Sequence, residues 1–263
     1  MTTDRTIVRA LADALDQGLA VVMATVVRTR HSVPRHAGAK MLVYADGRQL
    51  GTIGGGEMES RVRDAAADAL ASGRPTSLEF DLVDPAHGDP GVCGGSATIY
   101  LEPFMPQPQL LVIGCGHVGA AVVELAHWLG FRVTAMDDRA DVADARLLPG
   151  ADVVLAGPLG ESLQQVVIDH ATHVVLVTRN VTVDAEVLPI VFESPARSIG
   201  VMGSERRWST TRANLAAAGI ADEQLDRVIS PIGLDISAET PVEIALSIMT
   251  EIVGLRHTAP ATG

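Results

Sequence analysis

Gly114, Gly116 and Gly119 stand at the GxGxxG spacing directly after the apolar run Leu110 to Ile113. In a dinucleotide site each glycine has its own task. The first permits a tight turn, the second lets backbone approach a pyrophosphate, and the third lets a helix pack on a strand. Val118, Val122, Leu125, Ala126 and Leu129 then recur at helical period until Gly130, so the turn opens a helix whose first amides are unpaired and electropositive. Phe131 to Met136 reads as a second strand closed by Asp137, which lies 23 residues after Gly114, where an acid accepts ribose hydroxyls. Asp137 and Asp138 favour NAD over NADP, and Arg139 softens that preference. His117 sits at the helix start, where the dipole disfavours imidazolium and leaves a neutral ring as acceptor or ligand. The competing reading is a solvent-facing turn residue. Cys115 is expected to pack against the sheet.

Two further glycine clusters carry candidate chemistry. Gly54, Gly55 and Gly56 precede a helix over about Glu57 to Ala71, an arrangement that leaves amide donors free for an anion. Glu57 and Glu59 in its first turn either compensate the dipole or place a carboxylate beside a ligand. Cys93 precedes Gly94 and Gly95 and the strand Ser96 to Leu101. It is either a small buried apolar residue or a thiolate nucleophile or soft-metal ligand. Ahead of both clusters in the chain stands RTRHSVPRHAG, Arg28 to Gly38, with three arginines and two histidines. This segment reads as a solvated loop or as an anion-binding loop. The junction Gly203-Ser204 with Arg206, Arg207 and Arg212 is another candidate anion site.

These residues must be positioned by an α/β framework. Leu110 to Ile113, Phe131 to Met136, Ala151 to Ala156, Thr172 to Thr178 and Ser198 to Met202 are short buried strands separated by helical stretches, a Rossmann-like doubly wound sheet. The intervening helices are expected over about Glu161 to Asp169 and Val183 to Phe192, the latter disturbed by Pro189. Thr240-Pro241-Val242-Glu243 combines a capping box with proline at the first helical position. Ahead of this sheet lies a smaller α+β region. It begins with a helix from Asp4 to Gln17 that buries Ile7, Val8, Leu11 and Leu15, and continues with the strand Leu19 to Val27. A hairpin follows from Lys40 to Tyr44 and Gln49 to Ile53, and then a strand from Thr76 to Leu82. Glu102 to Gln109 contains prolines at 103, 106 and 108 and reads as a linker. The boundaries are 1–105 for the amino-terminal domain and 106–263 for the Rossmann-like carboxy-terminal domain.

The net charge of −12 disfavours extended nucleic-acid binding or an anionic membrane surface, so any anionic ligand is held locally. The two cysteines do not form a disulfide framework and suit a reducing compartment. The amino terminus lacks a signal-peptide layout, and the apolar runs fall short of a membrane span, so a cytoplasmic protein is expected.

Taken in order, the motifs resemble the xanthine dehydrogenase accessory protein family of XdhC/CoxI type. The matching segments are GAKMLV (Gly38 to Val43), GTIGGGEME (Gly51 to Glu59), Cys93 to Gly95 with Leu101 to Pro103, and GCGHVG with MDDR (Met136 to Arg139). VMGSERR (Val201 to Arg207) and SPIGLDISAETPVEIA (Ser230 to Ala245) complete the set. The resemblance implies a protein that binds molybdenum cofactor (molybdopterin) as cargo and protects it during sulfuration. Delivery to a xanthine dehydrogenase or related molybdenum hydroxylase follows, with a cysteine desulfurase as a possible partner and a homodimeric state. It implies cofactor-binding roles for Gly54, Gly55, Gly56, Glu57, Cys93, Gly94 and Gly95, and for Gly114, Gly116, His117, Val118, Gly119, Asp137 and Arg139. The chain departs from many relatives in having Glu57 where they carry cysteine, and Thr178-Arg179-Asn180-Val181 where they read THDH. An NAD-dependent oxidoreductase using the GCGHVG turn is the alternative, and a partner-docking protein with a vestigial turn is a third.

Overall fold

The computed structural model describes residues 4–81 and 94–257. They fall into two compact units, one within Met1–Pro106 and one over Gln107–Arg256. Cys93 lies outside the described residues.

The first unit is an antiparallel sheet between two helices, α1 (Asp4–Asp16) and α2 (Gly56–Ser72). Its strands are β1 (Val21–Arg30), β2 (Lys40–Tyr44), β3 (Gln49–Gly51), β4 (Thr76–Asp81) and β5 (Ser96–Phe104), in the order β3-β2-β1-β5-β4. Alternation along β1 builds both cores. Val22, Ala24 and Val26 meet Met58, Val62 and Ala66 of α2, while Val21 and Met23 meet Ile7 and Ala14 of α1. The buried face of α1 therefore centres on Ile7 and Ala14, and Val8, expected inside, is 54% exposed.

Two strands run further than their sequences suggest. β1 continues through Arg28 and Arg30, pairing them with Thr98 and Ser96 after a register shift between Val26 and Arg28. The extra residue, Val27, is a β-bulge, and it turns both arginines to the face opposite Val22, Ala24 and Val26. Without it, alternation would aim Arg28 into the apolar core. β5 likewise continues through Pro103, a residue assigned above to a linker. β4 pairs with β5 only as far as Leu101, so beyond that point one side of β5 is an open edge where a missing N–H costs no ladder bond.

The second unit is a six-stranded parallel sheet of β6 (Gln109–Ile113), β7 (Arg132–Asp137), β8 (Val153–Ala156), β9 (Thr172–Leu176), β10 (Ser198–Val201) and β11 (Val228–Ile229). The order β11-β10-β9-β6-β7-β8 is the doubly wound Rossmann arrangement. Helices α3 (His117–Trp128) and α8 (Pro241–His257) cover one face, over Leu110 and Val112. Helices α4 (Leu159–Leu163), α5 (Val181–Phe192) and α6 (Glu205–Ala217) cover the other, over Leu111 and Ile113. Burial on both faces explains the unbroken apolar strands. A short helix α7 (Asp222–Leu225) precedes β11. α4 ends at Leu163 rather than near Asp169, where the β-branched Val166, Val167 and Ile168 follow. α5 runs through Pro189, held by buried Val187, Leu188, Val191 and Phe192. No helix among the described residues is long and apolar enough to cross a membrane.

Candidate functional site

The strand order reverses between β6 and β9, and in open α/β sheets ligands bind beyond the strand ends at such a point. Here the GCGHVG turn links β6 to α3. A side chain on Gly114 would lie 2.6 Å from the Val177 carbonyl oxygen, and one on Gly119 would lie 1.9 Å from the Gly114 carbonyl oxygen. One on Gly116 would meet nothing within 4 Å. Gly114 and Gly119 are thus packing glycines, and Gly116 is the one open to a ligand. α3 starts at the exposed His117 with no side-chain cap, and Val118 behind it is half-buried.

Asp137 is occupied within the protein. Its carboxylate is 3% exposed and accepts the Cys115 amide at 2.8 Å, the Arg139 amide at 3.0 Å, and Arg139 Nε and Nη2 at 2.9 Å each. Those four bonds use the acceptor capacity of a carboxylate, so Asp137 braces the glycine turn. Burial, with Asp137 second, pushes the Cys115 thiol up to about 12, which leaves it inert at neutral pH. Asp138 is bound by both Arg179 nitrogens at 2.6 Å, and the hydrogen bond from Arg179 holds its carboxyl at about 2. Together with Gly114, Arg139, Thr178 and Val183 these groups line a small, shallow depression.

Behind the depression lies a buried cluster. Asp184, fully buried in the first turn of α5, accepts from the Thr178 hydroxyl and from Arg207 Nε and Nη2 at 3.1 and 2.7 Å. Arg207 also donates to the Thr178 hydroxyl and carbonyl oxygens at 2.7 and 3.1 Å. Arg212 pairs with Asp222 and Asp226. The two arginines are therefore committed to carboxylates, which removes them from the anion site expected after Gly203.

The first unit brings its glycines and its basic segment together. A side chain on Gly95 would strike the carbonyl oxygens of Ser32 and Arg30 at 2.3 and 2.4 Å, and one on Gly54 would touch Pro34 and Met58 at 3.4 Å. At Gly55 and Gly94 a side chain would meet nothing within 4 Å, and their φ values of 84° and 61° favour glycine. The amide donors of this turn are partly taken. Glu59, 8% exposed, accepts the Thr52 hydroxyl at 2.6 Å, the Gly55 amide at 3.0 Å, the Ile53 amide at 3.2 Å and Gln49 Nε2 at 2.8 Å. Burial is the largest single influence and raises its pKa, but the four hydrogen bonds together outweigh it and the net shift is downward. Gly56 and Glu57 are exposed at the helix start.

Two family models match the chain: the XdhC and CoxI family over residues 14–81 and the XdhC Rossmann domain over residues 110–252. The chain belongs to the XdhC-type family. Among its XdhC-type relatives is the Escherichia coli K12 protein YqeB, described as uncharacterized and 33% identical over 93% of this chain, which spans 45% of YqeB. Another is the molybdenum cofactor insertion chaperone PaoD of the same organism, 25% identical over 96% of this chain and 88% of PaoD. A Bacillus halodurans protein described as a xanthine dehydrogenase shares the fold, with a TM-score of 0.53 and 22% identity over 97% of each chain.

Sequence reasoning missed the internal partners in this XdhC-type chain. Asp184 occupies the first turn of a helix and looks like ordinary dipole compensation, yet it anchors Arg207 from 23 positions away. Glu59 carried a better signal. An acid just beyond three glycines can reach back to their amides, as a capping-box glutamate does.

Proposed function

We propose that this chain binds molybdenum cofactor as cargo, protects it while the metal centre is sulfurated, and inserts it into a xanthine dehydrogenase or related molybdenum hydroxylase. The observation that carries this is the likeness to PaoD along nearly the whole of both chains. The proposal includes a cytoplasmic homodimer, a cysteine desulfurase as a second partner, and a division of labour between domains 1–105 and 106–263. Gly54, Gly55, Gly56 and Glu57, with Cys93, Gly94 and Gly95, are assigned to the cargo. A phosphate-bearing pterin suits open glycine backbone, and molybdenum takes a soft sulfur ligand. Purified protein titrated anaerobically with molybdopterin is expected to bind in the low-micromolar range or tighter. Cys93→Ala and Gly55→Val should each weaken that binding, and an absence of binding by the parent protein overturns the proposal.

A second reading concerns the Rossmann turn. The open space at Gly116 and the uncapped start of α3 favour a nucleotide there, NAD included, held by Gly114, Gly116, His117, Val118 and Gly119. Asp137 and Arg139 support the turn from behind, and Asp138 is the carboxylate with surface to offer a ribose. Calorimetry with NAD(H) and NADP(H) tests it. Nucleotide turnover with a substrate would favour an oxidoreductase over a chaperone.

A further inference from the structure

Among the glycines assigned to the cargo, Gly95 also backs directly on the carbonyls of the Arg28–His36 segment, Gly54 stands beside its Pro34, and the Gly55 amide goes to Glu59. Gly95 and Gly54 thus also help to hold that segment. Gly95 is pressed on the carbonyls of Arg30 and Ser32, a side chain on Gly54 would come into ordinary contact with Pro34, and His31 between them takes the left-handed φ of 57°. Histidine is one of the few non-glycine residues that this region admits readily.

The segment so held concentrates positive charge. Arg28, Arg30, His31, Arg35 and His36 are all exposed, and among the described residues none of the three arginines has a carboxylate within ion-pair distance. This contrasts with Arg139, Arg179 and Arg207 around the Rossmann depression, each already bound to an aspartate. In a chain of net charge −12, a group of guanidinium ions without a carboxylate partner among the described residues is a place where a small anion gains. Glu79 and Asp81 lie on the same sheet face beyond β5, in register with Thr98 and Ser96, and temper the field at Arg28 and Arg30. Arg35, next to the Pro34 that faces Gly54, follows β1 and lies outside that row.

We propose that the Arg28–His36 segment is the receptor for the phosphate or pyrophosphate group of an organic phosphate, with Arg30 and Arg35 as its charged contacts. The inference rests on the chaperone proposal only for which organic phosphate is bound. It is tested with inorganic pyrophosphate and inorganic phosphate on the full chain, by calorimetry and by amide chemical shifts. Pyrophosphate is expected to bind more tightly than phosphate and to shift amides of residues 30–36. Arg30→Gln and Arg35→Gln, with unchanged thermal unfolding, should each weaken it about five-fold or more, the loss of one exposed charge-assisted contact. Arg35→Lys should retain part of the affinity, and Arg179→Gln should leave it unchanged. Undetectable pyrophosphate binding, wild-type affinity in both glutamine variants, or shifts confined to Gly114–Gly119 would each overturn the inference. Pyrophosphate binding here without molybdopterin binding would sink the chaperone proposal alone. Molybdopterin binding together with indifference to both variants would sink this one alone.

Discussion

The Glu59 carboxylate accepts the Gly55 amide at 3.0 Å, so α2 closes the very glycine turn from which it springs. The same oxygen also takes the Ile53 amide and the Thr52 hydroxyl. Glu59→Ala would take the acceptor from the buried Ile53 amide and from the two half-buried donors, at a cost of about 2–4 kcal/mol, while Glu59→Gln keeps one acceptor oxygen and should cost roughly half of that. The net pKa of Glu59 is lowered, so its contribution is complete above the ordinary glutamate range and is lost as the pH falls through the depressed value. Urea denaturation between pH 3 and 7 should show a steeper acid limb in the parent than in Glu59→Gln. Equal slopes would mean that the carboxylate does not brace the turn.

Arg207 and Asp184 form an ion pair whose two halves are not equivalent. Asp184 is fully buried, whereas the Arg207 side chain is 18% exposed and can turn toward water. Arg207→Ala should therefore be the worse loss, about 3–5 kcal/mol, because it strands a buried carboxylate with only the Thr178 hydroxyl. Asp184→Ala should cost less, about 2–3 kcal/mol, and the double variant less than the sum of the singles. Denaturation of the four proteins measures the coupling, and simple additivity would show the pair to be energetically idle.

These two sites also mark what was legible in the sequence. The Thr240 capping box is a four-residue pattern, and the structure builds it reciprocally, with Glu243 accepting the Thr240 amide at 2.8 Å and the Glu243 amide bonding back to the Thr240 hydroxyl at 3.3 Å. The GxGxxG turn and the parallel strands were legible for the same reason, because local spacing and burial on both faces write directly into residue type. The Arg207–Asp184 pair was not, since its members belong to different helices. The Val27 bulge was hidden too. One unpaired residue reverses which face Arg28 and Arg30 occupy, and nothing in their own types signals it. Pro103 misled because its tolerance depends on where the neighbouring strand stops.

His173 gives the second unit a pH dependence of the opposite origin to a stabilising contact. The ring is fully buried at the start of β9, with Nδ1 on the Ser198 hydroxyl at 2.8 Å and Nε2 without a partner among the described residues. Burial, followed by Arg197 and Arg256, lowers its pKa to about 4 from 6.5. As the pH falls below 6.5 the unfolded chain takes up a proton that the folded chain refuses, so stability declines toward pH 4, by on the order of 3 kcal/mol in all. His173→Phe should flatten that decline relative to the parent. Thermal unfolding at pH 7.5, 6 and 5 measures it, and parallel curves for the two proteins would exclude His173 as the source.

Gly116 and Gly119 separate the two uses of glycine in the Rossmann turn. An alanine methyl at Gly119 would sit 1.9 Å from the Gly114 carbonyl oxygen, a backbone atom that cannot yield without moving β6 or α3. Gly119→Ala should therefore destabilise the second unit by about 3 kcal/mol or more. At Gly116, φ is −69° and a methyl would meet nothing within 4 Å, so Gly116→Ala should fold with near-parental stability. The same methyl would stand in the space above the uncapped amides of α3, where a phosphate must come within hydrogen-bond distance of backbone. Any ligand of this turn should thus lose at least about ten-fold in affinity to Gly116→Ala, the free energy of one backbone contact to a charged group. Calorimetry of the parent and Gly116→Ala with NAD(H) and with molybdopterin identifies which ligand, if either, uses the turn. Unaltered binding of both would place them elsewhere in the chain and leave the turn with a purely architectural role.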